Sequence, residues 1–423
     1  MKIDPSLLER RTHALGPAYR LFYDKPLHLV RGAGARVWDV DGKEYLDAYN
    51  NVPSVGHCHP KVVEALSKQA ATLNTHTRYL HETVVDFAEQ LLGYFPQALS
   101  QVMFTCTGSE ANDLALRVAR SVTGSTGVIV TENAYHGVTS VLAEMSPSLG
   151  SANSIGADVR VVAAPDTYRL GNEGAQDALV EGVKAAITDL EDAGFGVAAL
   201  ICDTVFASDG IFVDPPGLLQ GAVAAVQAAG GLFIADEVQS GLARPGTHMW
   251  AFERHNVVPD MVTLGKPMGA GHPIAALVSK PELLEHFGNS TRYFNTFAGN
   301  PVSAAVGQAV LNVIVDEDLM GNALRVGNQL RELLDDQLSK HAHIGDVRGS
   351  GLYAAVELVK DRETKEPWPE GIQQLLNLLR ENGVLAGSCG RFGNCLKIRP
   401  PLCFSAQDAV MFVQTLDRTL SKL

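Results

Sequence analysis

Short, wholly apolar runs alternate with amphipathic stretches through the middle of the chain. QVMFTC, GVIVT, VRVVAAP, VAALICD, GLFIAD and DMVTLG all fall between about residues 60 and 300, each separated from the next by a helical pattern. Strands buried on both faces read this way when helices cover a largely parallel sheet. The pattern predicts a large α/β domain over residues 61–304. Before it, residues 1–60 open with a short helix and continue as HLVRGAGARVWDVDGKEYLDAYNN, where Val37–Val40 and Tyr45–Asp47 flank the turn pair Asp41-Gly42. That arrangement predicts a β-hairpin. From about residue 305, a helix with Val306, Val310, Val313 and Ile314 on one face leads to VRGSGLYAAVELV, a further helical stretch and NCLKIRPPLCF. These elements predict a small α+β domain over 305–423, packed with the N-terminal segment. No repeat or low-complexity tract interrupts the chain.

Composition narrows the class. With 423 residues, 46% of them hydrophobic, the chain can bury a large core and divide it between two domains. The net charge is -13 and the basic residues are scattered, which leaves no footprint for nucleic acid or an anionic membrane. The start, MKIDPSLLERR, has no apolar leader, and no apolar run approaches the roughly 20 residues a membrane span needs. A soluble, unprocessed, cytoplasmic protein acting on small molecules is therefore expected. Six cysteines lack metal-ligand spacing and are read as mostly buried thiols of a reducing compartment. His57-Cys58-His59 lacks further ligands at suitable spacing, so no metal is expected. RGAGAR is too short for a dinucleotide loop, having neither the third glycine nor a following helix.

Four segments carry candidate chemistry. GLFIAD ends in Asp236-Glu237-Val238-Gln239, and ligands of open α/β sheets sit beyond the carboxyl ends of such strands. Alone, Asp236 could equally be a helix cap or a surface carboxylate. The next strand runs into Gly265-Lys266-Pro267-Met268-Gly269, placing a lysine near the same sheet edge. A lone lysine there is usually a solvated charge. Paired with Asp236 it suits a Schiff base to an aldehyde cofactor, with the aspartate keeping a pyridine ring protonated. Thr105–Asn112 joins QVMFTC to a helix with Ala111, Leu114, Ala115 and Val118 on one face. Gly108 and Ser109 at that helix start suit a phosphate, the bland alternative being ordinary capping. Finally, Ala134-Tyr135-His136-Gly137 follows GVIVT and could lay an aromatic ring on the cofactor, or simply pack a loop on the core.

Together TGSEAND, AYHG, ADEVQSG, TLGKPMGAGHP and NTFAGNP resemble the class III aminotransferases, fold-type I enzymes of pyridoxal 5'-phosphate (PLP), in family order and over nearly the whole chain. The resemblance implies that Lys266 carries PLP as a Schiff base, Asp236 binds its pyridine nitrogen, and Gln239 bonds its ring hydroxyl. It further implies that Val238 and Tyr135 enclose the ring beside His136, and that Gly108 and Ser109 hold the phosphate. Thr296 would reach that phosphate from a partner subunit, since the family builds its sites at a homodimer interface; a tetramer is equally compatible. Retention of Lys266, Asp236 and the phosphate loop argues against a PLP-binding protein that has lost catalysis.

NNVPSVGHCHP, LNTHTRYLH, DEDLMGNALRVGNQL and LKIRPPLCF are most similar to the ethanolamine-phosphate and phosphohydroxylysine phospho-lyases. Such enzymes expel phosphate from a phosphorylated amine, yielding aldehyde and ammonia. Arg399, and then Arg20 and Arg78, are candidates for the substrate anion, with structural ion pairing as the alternative for each. Ornithine- and GABA-type relatives pair a C-terminal arginine, expected here at Arg399, with a glutamate where this chain has Ser208. Animal phospho-lyases carry lysine at the position of Arg399, and Asp203 replaces a family glutamate. Because arginine suits a carboxylate as well as a phosphate, an omega-type transaminase moving an amino group from a primary amine or amino acid to a keto acid is the alternative.

Overall fold

The structure, a computed structural model, describes residues 5–423; Met1–Asp4 of the N-terminal stretch lie outside the described residues. Strands β1 (Leu29–Ala33), β2 (Arg36–Asp39) and β3 (Glu44–Asp47) follow a first helix, Pro5–Leu15. The expected hairpin is β2–β3, with Trp38 opposite Glu44 and Gly42 turning the chain at φ +80°, a conformation glycine adopts without Cβ strain.

Seven strands form the central sheet: β4 (Gln101–Thr105), β5 (Gly127–Thr131), β6 (Val159–Val162), β7 (Val197–Asp203), β8 (Leu232–Asp236), β9 (Met261–Leu264) and β10 (Ala275–Ser279). Their order is β4-β10-β9-β8-β7-β5-β6, and β10 runs against both of its neighbours while the others are parallel. All six apolar runs read from the sequence are strands of this sheet. The seventh, β10, went unread because Ala275 and Ala276 weaken the β signal of a run that periodicity alone cannot distinguish from a buried helix segment. Its five residues are all buried. Every residue of β7 but Asp203 is buried as well, and each buried valine, leucine or isoleucine contributes roughly 1.5–3 kcal/mol.

The C-terminal third adds β11 (Ile344–Ser350), β12 (Tyr353–Asp361), β13 (Glu366–Pro367), β14 (Val384–Leu385), β15 (Gly387–Cys389) and β16 (Cys395–Ile398). An antiparallel sheet has the order β11-β12-β16-β15, with β13 on β12, while β14 leaves to pair parallel with β3. The β3–β14 pairing joins the C-terminal third to the N-terminal segment. We propose domain divisions near residues 60 and 304; helix Pro301–Asp316, which holds Val306, Val310, Val313 and Ile314 in the core, carries the chain across the second.

The cysteines depart from expectation. All six are free, but only Cys202 and Cys395 are buried; Cys106, Cys389 and Cys403 are half-buried and Cys58 is exposed. Cys58, Cys106 and Cys403 lie in loops and Cys389 ends β15, positions that leave these thiols partly open to solvent. His57 Nε2 bonds Asp47 Oδ2 at 2.7 Å and His59 Nε2 bonds Glu317 Oε1 at 3.2 Å, so both histidines of the His-Cys-His run tie loops together.

Candidate active site

The parallel strands point their carboxyl ends at a cavity of about 320 Å³. β4 delivers Gly108 and Ser109, β5 delivers Tyr135 and His136, β8 delivers Asp236, Val238 and Gln239, and β9 delivers Lys266; all of these line the cavity. Every expected cofactor residue is therefore brought together except Thr296, which is exposed and outside the cavity. Arg20 and Arg78 are exposed too, and Arg78 lies over the Phe294 ring at 3.8 Å. Arg399 is buried behind the cavity wall.

Asp236 is 4% exposed and fully engaged. Its Oδ2 accepts from Asn112 Nδ2 at 2.9 Å and pairs with His136 Nδ1 at 2.7 Å, while Oδ1 accepts from Val238 N–H at 3.0 Å. Burial by itself would raise its pKa; the hydrogen bond and charge of His136, followed by Lys266, reverse that and hold the carboxyl below its usual range. Asn112 is oriented from behind, since its Oδ1 accepts the Thr263 hydroxyl at 2.5 Å. His136 Nε2, on the far side of the ring from Asp236, is buried without a partner among the described residues.

Lys266 opens a short 3₁₀ turn directly after β9. Its Nζ makes no hydrogen bond among the described residues and lies 5.8 Å from the centre of the Tyr135 ring. Burial lowers its pKa, as does the charge of Arg399, against the opposing pull of Asp236 and Asp203. A lysine so placed has a larger share of the neutral, nucleophilic amine than one in water.

The phosphate end is built by the helix Gly108–Thr123. Thr107 caps it, with Thr107 Oγ1 accepting from Glu110 N–H and Glu110 returning a bond to Thr107 N–H. The alternative of capping is thus also true, but it occupies Thr107 and leaves the first-turn N–H groups of Gly108 and Ser109 without helical acceptors. Ser109 Oγ accepts from Val138 N–H at 3.2 Å, so its own proton remains available. A Cβ on Gly108 would come within 2.9 Å of Val238 Cγ1, and one on Gly137 within 2.6 Å of Ser109 Oγ. Both glycines keep the cradle open.

Gln239 shows what the linear reading missed. Its Oε1 accepts from Lys397 Nζ at 3.3 Å, from Tyr353 Oη at 3.5 Å and from Arg399 Nη1. Three donors thus fix that amide oxygen. Lys397 is buried, donates to Ala207 O at 2.9 Å, and has its pKa pushed down to about 7 by burial and then by Arg399. The cation facing the segment that contains Ser208 is therefore Lys397, whereas Arg399 Nε turns to Tyr49 O at 3.2 Å. Residues 395, 397 and 399 alternate onto one strand face, which was the available signal. Asn112, one helical turn beyond Ser109, carried a similar one. Neither Lys397 nor Arg399 forms an ion pair with a carboxylate among the described residues.

An unbonded amine, a carboxylate held ionised, a bare helix N-terminus and a histidine nitrogen without a partner fit a phosphorylated pyridine aldehyde in size and chemistry. Comparison with known proteins agrees. The class-III aminotransferase family model matches residues 22–420. An Arabidopsis thaliana relative named alanine–glyoxylate aminotransferase 2 homolog 2, mitochondrial, is 42% identical over 99% of this chain and 87% of its own. The Caenorhabditis elegans ethanolamine-phosphate phospho-lyase homolog 1 is 38% identical over 98% of this chain and 93% of its own. Among solved structures, a phospholyase from Arthrobacter in complex with phosphoethanolamine is 44% identical, covers 99% of this chain and 100% of its own, and superposes with a TM-score of 0.95. With the site's geometry and these similarities together, the chain belongs to the class III aminotransferase family and is a PLP-dependent lyase or transaminase of fold-type I.

Proposed function

We propose that the protein is a phospho-lyase that eliminates phosphate from a phosphorylated primary amine such as O-phosphoethanolamine, releasing aldehyde, ammonia and phosphate. The observation that carries this reading is the pair of buried basic side chains behind Gln239, Lys397 and Arg399, neither of which forms an ion pair with a carboxylate among the described residues. The fixed charge of Arg399 beside the cavity favours a departing dianion, offset in part by Asp203 on the cavity wall. The Arthrobacter phospholyase, crystallised with phosphoethanolamine, supports the same substrate class.

Bound PLP acts as an electron sink, lowering the barrier to losing a proton from the substrate carbon that bears nitrogen. Lys266 would hold the cofactor through its amine and supply the base that takes that proton. Asp236, kept ionised and aimed by Asn112 and His136, would hold a proton on the pyridine nitrogen. Gln239 would hold the ring hydroxyl, Val238 and Tyr135 would enclose the ring beside His136, and Gly108 with Ser109 would hold the cofactor phosphate. Departing substrate phosphate is drawn by Arg399 and Lys397.

Thr296, Arg78 and Arg20 lie outside the cavity of their own chain, and we assign them to the site of a second copy in a homodimer. Leu80 is fully exposed, and Phe297 and Tyr79 are 73% and 67% exposed beside Thr296 and Arg78, an apolar surface that calls for cover. No described helix is long and apolar enough to cross a membrane. Six free thiols accord with a reducing compartment such as the cytoplasm.

Incubating the PLP-loaded protein with O-phosphoethanolamine alone tests the reaction. Sustained release of phosphate and ammonia without a keto acid is expected. Turnover that starts only when pyruvate or 2-oxoglutarate is supplied would instead establish a transaminase, the activity named for the Arabidopsis relative.

A further inference from the structure

Two of the six cysteines face each other. β15 and β16 are antiparallel neighbours, and their register sets Cys389 directly opposite Cys395. Opposed residues on such strands share a face, with Cα atoms about 4.5 or 5.5 Å apart according to pair type. Both spacings lie inside the ~4.4–6.8 Å that a disulfide bridges without backbone movement. The two thiols are near enough that each shifts the ionisation of the other. Cys395 Sγ also accepts from Arg348 Nη2 at 3.3 Å and donates to Glu357 Oε2 at 3.7 Å, so its position is held from both sides. Access exists as well, because Cys389 is half-buried and Cys395 lines a second cavity of about 170 Å³ at the domain boundary.

We propose that Cys389 and Cys395 form a reversible dithiol–disulfide site, closed in the folded holoenzyme by a low-molecular-weight disulfide such as oxidised glutathione. Cys389 is the attacking thiol: the neighbouring Cys395, and beyond it Lys397, lower its pKa, whereas that of Cys395 is raised. Its thiolate displaces one glutathione thiolate and forms a mixed disulfide. Cys395, giving its proton to solvent, then attacks the Cys389 sulfur and expels the second glutathione. Two protein thiols become one disulfide as one glutathione disulfide becomes two thiols, a balanced two-electron exchange. In a reducing compartment such pairs are transient and sensory more often than structural. This one has a route to the active site: β16 carries Lys397, and Gly390 N–H donates to Ser208 O at 2.9 Å, so the hairpin bears on the segment Lys397 contacts. Closure also removes an ionisable thiol from beside Lys397.

The test treats native holoenzyme with excess oxidised glutathione, blocks remaining thiols with an alkylating agent and digests with trypsin. Cleavage after Arg391 separates the two cysteines, so the expected product is residues 381–391 linked to 392–397, present without reductant and lost with dithiothreitol. Retained cofactor absorbance identifies the oxidised molecules as folded. Cys395→Ser should stop at glutathione on Cys389, and Cys389→Ser should leave Cys395 free. Alkylation of both cysteines after oxidation, a link formed only in denaturant, or pairing of Cys389 with another cysteine each overturns the proposal.

Discussion

Asn112 Nδ2 donates to Asp236 Oδ2 at 2.9 Å, across 124 residues of sequence, and the Thr263 hydroxyl fixes the amide that does so. Replacing that donor by an acid sets two buried carboxylates against each other and raises the pKa of the pair. Asn112→Asp should weaken PLP retention and lower turnover by about 10-fold or more, as a loss of ~1.4 kcal/mol implies. Cofactor titration by absorbance, alongside kcat, checks both effects; unchanged PLP affinity and turnover would remove Asn112 from the support of Asp236.

Lys266 Nζ has no competing hydrogen-bond partner among the described residues. Lys266→Ala should abolish the borohydride-reducible link between protein and cofactor and cut turnover by roughly 10²–10⁴-fold, the usual contribution of a positioned base. Mass spectrometry after reduction reads the link directly. A surviving adduct would place the Schiff base elsewhere.

Arg399 and Lys397 share the Gln239 amide oxygen but differ in charge stability. Arg399→Ala should reduce kcat/KM for phosphorylated amines by about 10–100-fold more than for neutral amines, in keeping with ~1.5–3 kcal/mol for a charge-assisted contact. Lys397→Met should act in the same direction. Equal losses on both substrate classes would show that the two cations only position Gln239.

Buried His255 donates no charge to the fold: its Nε2 bonds Thr204 O at 2.8 Å, and burial pushes its pKa from 6.5 down to about 4. The unfolded chain therefore binds the proton first. Stability supplied by the neutral ring is complete above pH 6.5 and is lost as pH falls toward 4, by about 3 kcal/mol. Glu237 and Asp209, both raised to about 7 by burial, run the opposite way and lose stability as pH rises toward 7. Denaturant melts of His255→Gln against the parent at pH 7 and pH 5 isolate the histidine. The stability gap between them should narrow at pH 5; a constant gap refutes the assignment.

Leu80 lies fully exposed beside Arg78 and Tyr79. If a second copy covers this surface, Leu80→Glu should shift the protein toward monomer in sedimentation and lower activity together. A monomeric parent would end the shared-site reading.

Periodicity and strand-end chemistry determined much of this protein. Six strands, the hairpin at Gly42 and the placement of Asp236, Lys266 and Ser109 at one sheet edge follow from local rules, because a strand's apolar run and the loop after it are written in consecutive residues; the burial expected on both faces fails at the edge strands β4 and β6. β10 escaped, since its alanines satisfy helix and strand alike. What only the tertiary structure decided is which distant side chains meet. Asn112 finds Asp236, and Lys397 displaces Arg399 as the cation against Ala207. Such contacts depend on three-dimensional register, and a hydrogen bond between residues 124 or 190 positions apart leaves no mark on the local pattern of either.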